Sequence, residues 1–425
     1  MRHPLLSTFA LAGAVCAVGA PLAAEAQVPA PSWVRQLGAN FDEQAQAVAV
    51  SGNSVYVVGH TSSQLGPQPK AGGMDVFVAK YTTAGALQWV QQLGTSGEER
   101  ATAVAADADG NVYVTGHTSG GFDFFTNAGG FDFFVTRFDA QGNRQWLRQS
   151  GTQMDDFGTG LALGADDTLY LSGYTGGSFA NGGNPHHYDV VVALYDTGGN
   201  LYWLNQYGTA NSDIARGIAV TTDHQVYVVG NTSGAFGGSS TPASGTDLFL
   251  MKLDILGVQQ WVRQDDTSEL EDARGVAVDA NGSVYVVGET FGTFAGGAPN
   301  NGTVDVFVAK YSSVANQLWT RMLGGSQPDY AFGVAVAADG TVQAAGYTTN
   351  ALDGNAYAGS QDAFLTRFDA AGLKLGTRTL GTSTPDSARG VAVDAAGNAY
   401  VTGSTYGGLG GNLNAGSFDA FLARF

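Results

Sequence analysis

RGVAVDANGSVYVVGET, residues 274–290, contains two runs in which β-branched and aromatic residues recur, joined by the link Asp279-Ala280-Asn281-Gly282-Ser283. Such runs read as β-strands, and a short Gly-containing link between them reads as a hairpin. Two further strand patterns follow, DVFVAKY (305–311) and QLWTRML (317–323), which gives a unit of four strands, a to d, in the order of an antiparallel meander. The Gly-x-Thr that ends strand b occurs seven times, at Gly59, Gly116, Gly173, Gly230, Gly288, Gly346 and Gly403, with gaps of 57, 57, 57, 58, 58 and 57 residues. A period this regular means a closed repeat architecture, and four-stranded meanders repeated about an axis are the blades of a β-propeller. The expectation is an all-β protein: one seven-bladed propeller over residues 27–425, with blades starting near residues 45, 101, 158, 215, 273, 331 and 388.

The last residues, DAFLARF (419–425), form a strand c with no strand d after it, while WVRQLG (33–38) matches the strand d WVQQLG (89–94). Residues 33–38 should therefore supply the outer strand of blade 7 and leave no open edge there. All six tryptophans (Trp33, Trp89, Trp146, Trp203, Trp261 and Trp319) hold one position in strand d, and Gly376 takes that position in the remaining copy.

The repeated pattern D-x-x-G-N-x-Y-V-x-G-x-T, a Gly-rich loop, D-x-F-[VL]-[AT]-[KR]-[YF] and a Trp strand resembles the SBBP-type β-propeller repeat of bacterial secreted and surface proteins, over residues 33–425. The resemblance implies a seven-bladed scaffold and an exported location, and it implies no particular reaction. A following sorting domain, common in such proteins, is not expected, because the chain's last residues are those of a strand c.

Residues 1–26 read as a secretory signal: Arg2 and His3, an apolar stretch from Leu5 to Ala20, then Ala24-Glu25-Ala26 as a cleavage site. Cys16, the only cysteine, lies inside it and follows Val15, where a lipoprotein signal wants a small residue. Lipidation, disulfides and thiolate metal sites are thus not expected of the mature chain. The later sequence has no run long and apolar enough to span a bilayer. Nineteen basic against 37 acidic residues give a formal charge of −18, which disfavours nucleic acid and anionic lipid as partners. The chain is expected to be extracellular, at the outer cell surface or periplasmic, and monomeric.

Two sets of recurring positions are candidates for function. Each strand a is preceded by a carboxylate: Glu43, Glu99, Asp156, Asp213, Glu271, Asp329 and Asp386. If these circle the channel mouth they could hold Ca²⁺ through oxygen ligands; the plainer reading is that each caps backbone amides of its own turn. Arg100, Arg216, Arg274 and Arg389, one or three residues on, should offset their mutual repulsion. The residue between the repeated Gly and Thr varies instead: His60, His117, Tyr174, Asn231, Glu289, Tyr347 and Ser404. Variable polar and aromatic residues on a constant frame describe a ligand-binding rim, and equally describe drifting surface positions. Joint alanine substitution at His60, Tyr174 and Tyr347 is expected to remove binding without lowering the melting temperature.

An apolar residue, the fifth counting from the threonine that ends strand b (Leu65, Phe122, Phe179, Phe236, Phe294, Leu352 and Leu409), reads as an anchor of the b–c loop. His186-His187 near Asp189 reads as solvated loop histidines, and Asp107-Ala108-Asp109-Gly110-Asn111 as a hairpin turn rather than a calcium loop. No G-x-S-x-G, H-E-x-x-H or P-loop occurs. The leading expectation is a non-catalytic scaffold binding a glycan, peptide or protein at the channel face. The alternatives are a polysaccharide lyase or hydrolase using carboxylates such as Asp156 and Asp213, with Asp155 beside the first, and a structural protein of an envelope or matrix.

Overall fold

The computed structural model describes residues 27–179, 187–238, 245–265, 267, 269–294 and 300–425; the expected signal segment and His186 lie outside the described residues. Seven separate four-stranded antiparallel sheets form the blades of a propeller. In blade 1 the strands are a, Glu43–Ser51; b, Ser54–Thr61; c, Asp75–Thr82; and d, Leu87–Leu93. Strands a of blades 2 to 6 are Glu99–Ala106, Asp156–Leu163, Asp213–Val220, Glu271–Val278 and Asp329–Val336. Blade 7 joins Asp386–Val393, Ala399–Thr405 and Asp419–Arg424 to the N-terminal strand Trp33–Leu37, with Trp33 opposite Arg424 and Leu37 opposite Ala420. Each strand a packs on strand a of both neighbours, blade 7 on blade 1 included, so the ring closes.

The strands a open two residues earlier than read, because the carboxylate is itself the first paired residue: Glu43 lies opposite Thr61, and Asp386 opposite Thr405. This joins the two recurring marks into one unit. Thr61 Oγ1 donates to Glu43 at 2.7 Å, Thr118 Oγ1 to Glu99 at 2.7 Å and Thr290 Oγ1 to Glu271 at 3.0 Å, with Thr232 and Thr405 bonding Asp213 and Asp386. The other carboxylate oxygen caps a backbone N–H four residues back, as from Ala39, Thr95, Thr152 and Gly325. The glycine of Gly-x-Thr is required by close approach. A Cβ on Gly59, Gly116, Gly173, Gly230, Gly288, Gly346 or Gly403 would stand 1.8–2.1 Å from a carbonyl oxygen of strand a.

A second carboxylate opens each strand c, and five of these are bonded by a glutamine of strand d. Gln36, Gln92, Gln149, Gln206 and Gln264 donate to Asp419, Asp75, Asp132, Asp189 and Asp247 at 2.6–2.8 Å, and their amide oxygens accept from the b–c loop backbone. Met322 and Thr379 stand in place of glutamine in blades 5 and 6, and there burial pushes Asp305 and Asp362 above the usual carboxylate range. Met322→Gln should supply the missing donor to Asp305 at nearly unchanged volume and raise stability by about 1 kcal/mol, read as a higher urea midpoint.

Apolar residues fill the seams between blades; Tyr56, Val58 and Val78 of blade 1 pack with Val104, Val114 and Phe134 of blade 2. The loop anchors Phe122, Phe236, Phe294, Leu352 and Leu409 are buried, and Leu65 and Phe179 are partly buried against the same seams. Asp107 accepts from the backbone and side chain of Asn111, as a hairpin turn should.

The tryptophans clamp one blade to the next. Trp33, Trp89, Trp146, Trp203 and Trp319 cover the left-handed glycine of the following blade's c–d hairpin (Gly85, Gly142, Gly199, Gly257 and Gly372) so closely that a Cβ there would lie 2.8–3.1 Å from the indole. The indole N–H of Trp89, Trp146, Trp203 and Trp319 also donates to a carbonyl of that hairpin at 3.0–3.2 Å. The exception at Gly376 follows from this geometry. Blade 6 would clamp the c–d hairpin of blade 7, whose strands c and d come from residues 419–424 and 33–37 and share no hairpin.

Candidate functional site: the channel and its mouth

Every strand a carries a β-bulge at the same place. The register with strand b skips one residue in each blade: Gln46, Thr102, Thr159, Arg216, Arg274, Phe332 and Arg389. A bulge re-aims its extra residue, and all seven line a central cavity of about 240 Å³. The channel wall is therefore asymmetric. Blades 1 to 3 give it an amide and two hydroxyls, and blades 4 to 7 give it three arginines and a phenylalanine. Larger grooves lie elsewhere, such as one of about 670 Å³ between blades 1 and 2 that includes the Asp123–Arg144 ion pair, but they draw on one seam each.

Arg274 is saturated by acids: its Nη2 lies 2.6 Å from Glu289 and 2.9 Å from Asp272. Arg216 reaches Asp272 at 3.6 Å, and its Nε is buried without a partner. Arg389 has no ion pair or hydrogen bond among the described residues. Its guanidinium lies over the Phe332 ring at 4.2 Å, a cation–π contact, and burial holds it below the ordinary arginine range. Burial also pushes Glu289 up to about 7, against the pull of Arg274.

The variable strand-b residues do not form an exposed rim. His60, Asn231, Glu289 and Ser404 are buried, and His117, Tyr174 and Tyr347 half-buried, each opposite the second residue of strand a. The His117 ring packs 4.8 Å from Phe157 of the next blade, Tyr174 lies 4.8 Å from the same ring, and Tyr347 stacks on Tyr330 and Phe332. Burial and Arg100 lower the pKa of His60 and His117 to about 4, so both are neutral at pH 7. Removing His60, Tyr174 and Tyr347 together would thus open packed seams and lower the melting temperature, contrary to the expectation from sequence.

The seven carboxylates Glu43, Glu99, Asp156, Asp213, Glu271, Asp329 and Asp386 are at most 1% exposed, and none lines the channel. The structure keeps them apart, one cap per blade, and among the described residues no group of three or more His, Cys, Asp or Glu is placed to hold a metal ion. Their charge neighbour is the strand-c aspartate of the preceding blade, Asp419 for Glu43 and Asp305 for Asp329. The arginines do not offset them: Arg216, Arg274 and Arg389 are turned by their bulges toward the channel, and Arg100 pairs at 3.7 Å with Glu98. Asp155 accepts from Phe131 N–H, while Asp156 is bonded by Thr152 on its own turn. His187 is exposed.

Burial pushes Glu271 up to about 7 despite its bonds from Thr267 and Thr290. A raised native pKa means that stability from the protonated form is full below about 4.5 and is lost as pH rises through about 7. His60 and His117 act oppositely, their contribution being full above about 6.5 and lost as pH falls through about 4. Comparing Glu271→Gln with the parent isolates the glutamate: from pH 4.5 to 8 the stability difference should shift toward the variant by on the order of 2 kcal/mol, measured by denaturant titration.

The fold and site define a class, a seven-bladed propeller of antiparallel blades with a bulge-lined polar channel. More particularly, the SBBP beta-propeller repeat pattern matches residues 88–123 and 375–410, so the chain carries that repeat. It is similar to regulatory protein FlaEY of Caulobacter vibrioides, 26% identical over 370 residues, covering 75% of this chain and 38% of that protein. It is also similar to the uncharacterized WD repeat-containing protein L264 of Acanthamoeba polyphaga mimivirus, 22% identical over 348 residues, covering 71% and 23%. The chain thus spans well under half the length of both. Among solved structures, YCF48 bound to D1 peptide aligns with 96% of this chain and 99% of its own at TM-score 0.47 and 11% identity. The extracellular domain of BT3049 from B. thetaiotaomicron aligns with 93% and 41% at TM-score 0.47 and 10% identity. Among the described residues no helix is long and apolar enough to cross a membrane.

The channel ring was missed in the sequence because the bulge position varies freely in residue type. The signal available was that same variation, three residues after each carboxylate.

Proposed function

We propose that this chain is an exported, non-catalytic binding scaffold whose ligand, a glycan, peptide or protein, seats on the channel mouth. The observation that carries the reading is the division of labour within each repeat. The carboxylate, Gly and Thr are held constant by the fold, whereas the bulge residues that converge on the channel differ from blade to blade. A constant frame presenting variable, convergent side chains suits recognition. The carboxylates that hydrolysis would need are bonded within their own turns, which favours binding over catalysis.

The test is an array of microbial glycans and peptides probed with the purified chain, with calcium and with chelator, alongside Arg100→Glu. That side chain is 41% exposed, two residues before the channel residue Thr102, so its reversal should leave the fold intact. Selective binding lost in the variant supports the reading; binding that ignores Arg100→Glu, or none at all, overturns it.

A further inference from the structure

The channel combines three features that together select a ligand chemistry. Arg389 makes no ion pair or hydrogen bond among the described residues, and Glu289, whose bonds go to Arg274, acts on it only from a distance, although the chain's net charge is −18. Its guanidinium carbon lies 4.2 Å from the centre of the Phe332 ring, and no hydrogen bond among the described residues occupies its N–H fork, which can meet an anion. Beside it round the ring stands Gln46, whose side-chain amide makes no hydrogen bond among the described residues; Gly390 packs directly on the backbone of Ala47 and Gln46, which fixes the two blades in contact. Thr102 continues the neutral arc, its hydroxyl already donating to Gly158 O at 2.7 Å and so able to accept.

The charge count limits the anion. Arg274 lies against Glu289 and Asp272, and Arg216 shares Asp272, so of the three arginines Arg389 alone has no acid within ion-pair distance among the described residues. One free guanidinium matches a carboxylate, bound bidentately, better than a phosphate dianion. The volume limits the size: about 240 Å³ lies below the roughly 300–1,000 Å³ of drug-sized ligand pockets. The neutral amide and hydroxyls across from the arginines suit a ligand bearing hydroxyl groups.

We propose that the channel is a single-unit sugar-acid site, in which Arg389 holds the carboxylate and Gln46 and Thr102 hydrogen-bond the hydroxyls. The proposal rests on the reading of the mouth as the ligand face and names the group that enters deepest. Buried pairing of this kind is worth most where water is excluded, and at 0.15 M salt the distant acidic surface is screened beyond about 8 Å.

The experiment is calorimetric titration of the full chain with galacturonate, galactose and inorganic phosphate, on the parent and on Arg389→Gln, Arg389→Lys and, as a remote control, Arg144→Gln. Galacturonate should bind at least tenfold tighter than galactose or phosphate. Arg389→Gln should lose at least tenfold in galacturonate affinity, Arg389→Lys should retain part of it and Arg144→Gln all of it. Arg389→Gln loses the cation–π contact with Phe332 but no ion pair and relieves a buried charge, so its melting temperature should stay within a few degrees of the parent's, which checks that the variant is folded. Equal affinity for galactose and galacturonate, no galacturonate binding by the parent, or undiminished binding by Arg389→Gln overturns the proposal. If array ligands still bind through Arg100 in any of those cases, the channel assignment fails while the scaffold reading stands; if the array is also blank, both fail.

Discussion

Gly346→Ala should leave the chain largely unfolded at temperatures the parent tolerates, with a loss of about 4 kcal/mol or more, at the extreme of what single substitutions do. The added Cβ would stand 1.8 Å from the carbonyl oxygen of Tyr330 and 2.7 Å from the Cα of Ala331. Both are backbone atoms, so no side chain can swing aside. Relief requires strands a and b of blade 6 to separate beside the Phe332 bulge, which moves Asp329 away from the Gly325 amide that it caps and disturbs the channel wall. Gly354→Ala is the informative control. It lies at φ 71° with nothing within 4 Å of its Cβ, so it should cost only about 1 kcal/mol, from backbone strain alone. Urea titration of the two variants separates steric exclusion from loss of conformational freedom.

Removing residues 27–38 should be nearly as damaging and should also change the oligomeric state. Blade 7 would lose the strand Trp33–Leu37, and Asp419 would lose its bond from Gln36. The Gly85 hairpin of blade 1 would lose both the Trp33 ring above it and the bond from Arg35 to Gly85 O at 2.8 Å. Burying Trp33 and Val34 alone is worth on the order of 4 kcal/mol, and the exposed edge of Asp419–Arg424 becomes a template for pairing with another chain. Size-exclusion chromatography should show aggregates, and a peptide of residues 27–38 added in trans should restore the parent's elution volume and raise the urea midpoint. A truncated chain that elutes as the parent does and is equally stable would show that the closure carries no weight.

Much of the architecture was legible from residues because period, strand order and closure are written in residue type: β-branched runs, turn glycines, and a Trp strand displaced to the N-terminus. The loop anchors were legible for the same reason, apolar residues in one register. The carboxylates were legible as a set, and the capping of turn amides was the plainer reading of them, but the channel-mouth alternative stayed open, since a recurring acid looks the same whether it faces a channel or a turn amide. Only the pairing of Glu43 with Thr61 and Ala39 decides which. The channel ring was hidden for a different reason. A bulge is a property of register between two strands, and none of the identities Gln46, Thr102, Thr159, Arg216, Arg274, Phe332 and Arg389 announces it singly; only their variation at one place in the repeat marks the position. The exposure of His60 and its counterparts was misjudged because a strand-end residue beside a loop can still lie in the seam between blades.

The bulges also bear on how such a protein could diversify. Each blade sends its bulge side chain to the channel from a point where the chain has already left the regular ladder, so exchanging that side chain leaves the register of strands a and b in place. The seven bulge residues behave as a word written on a frame whose backbone pairing does not depend on the spelling. A change of ligand would then need only a change of letter in one blade, and duplicated or shuffled blades would carry their letter with them.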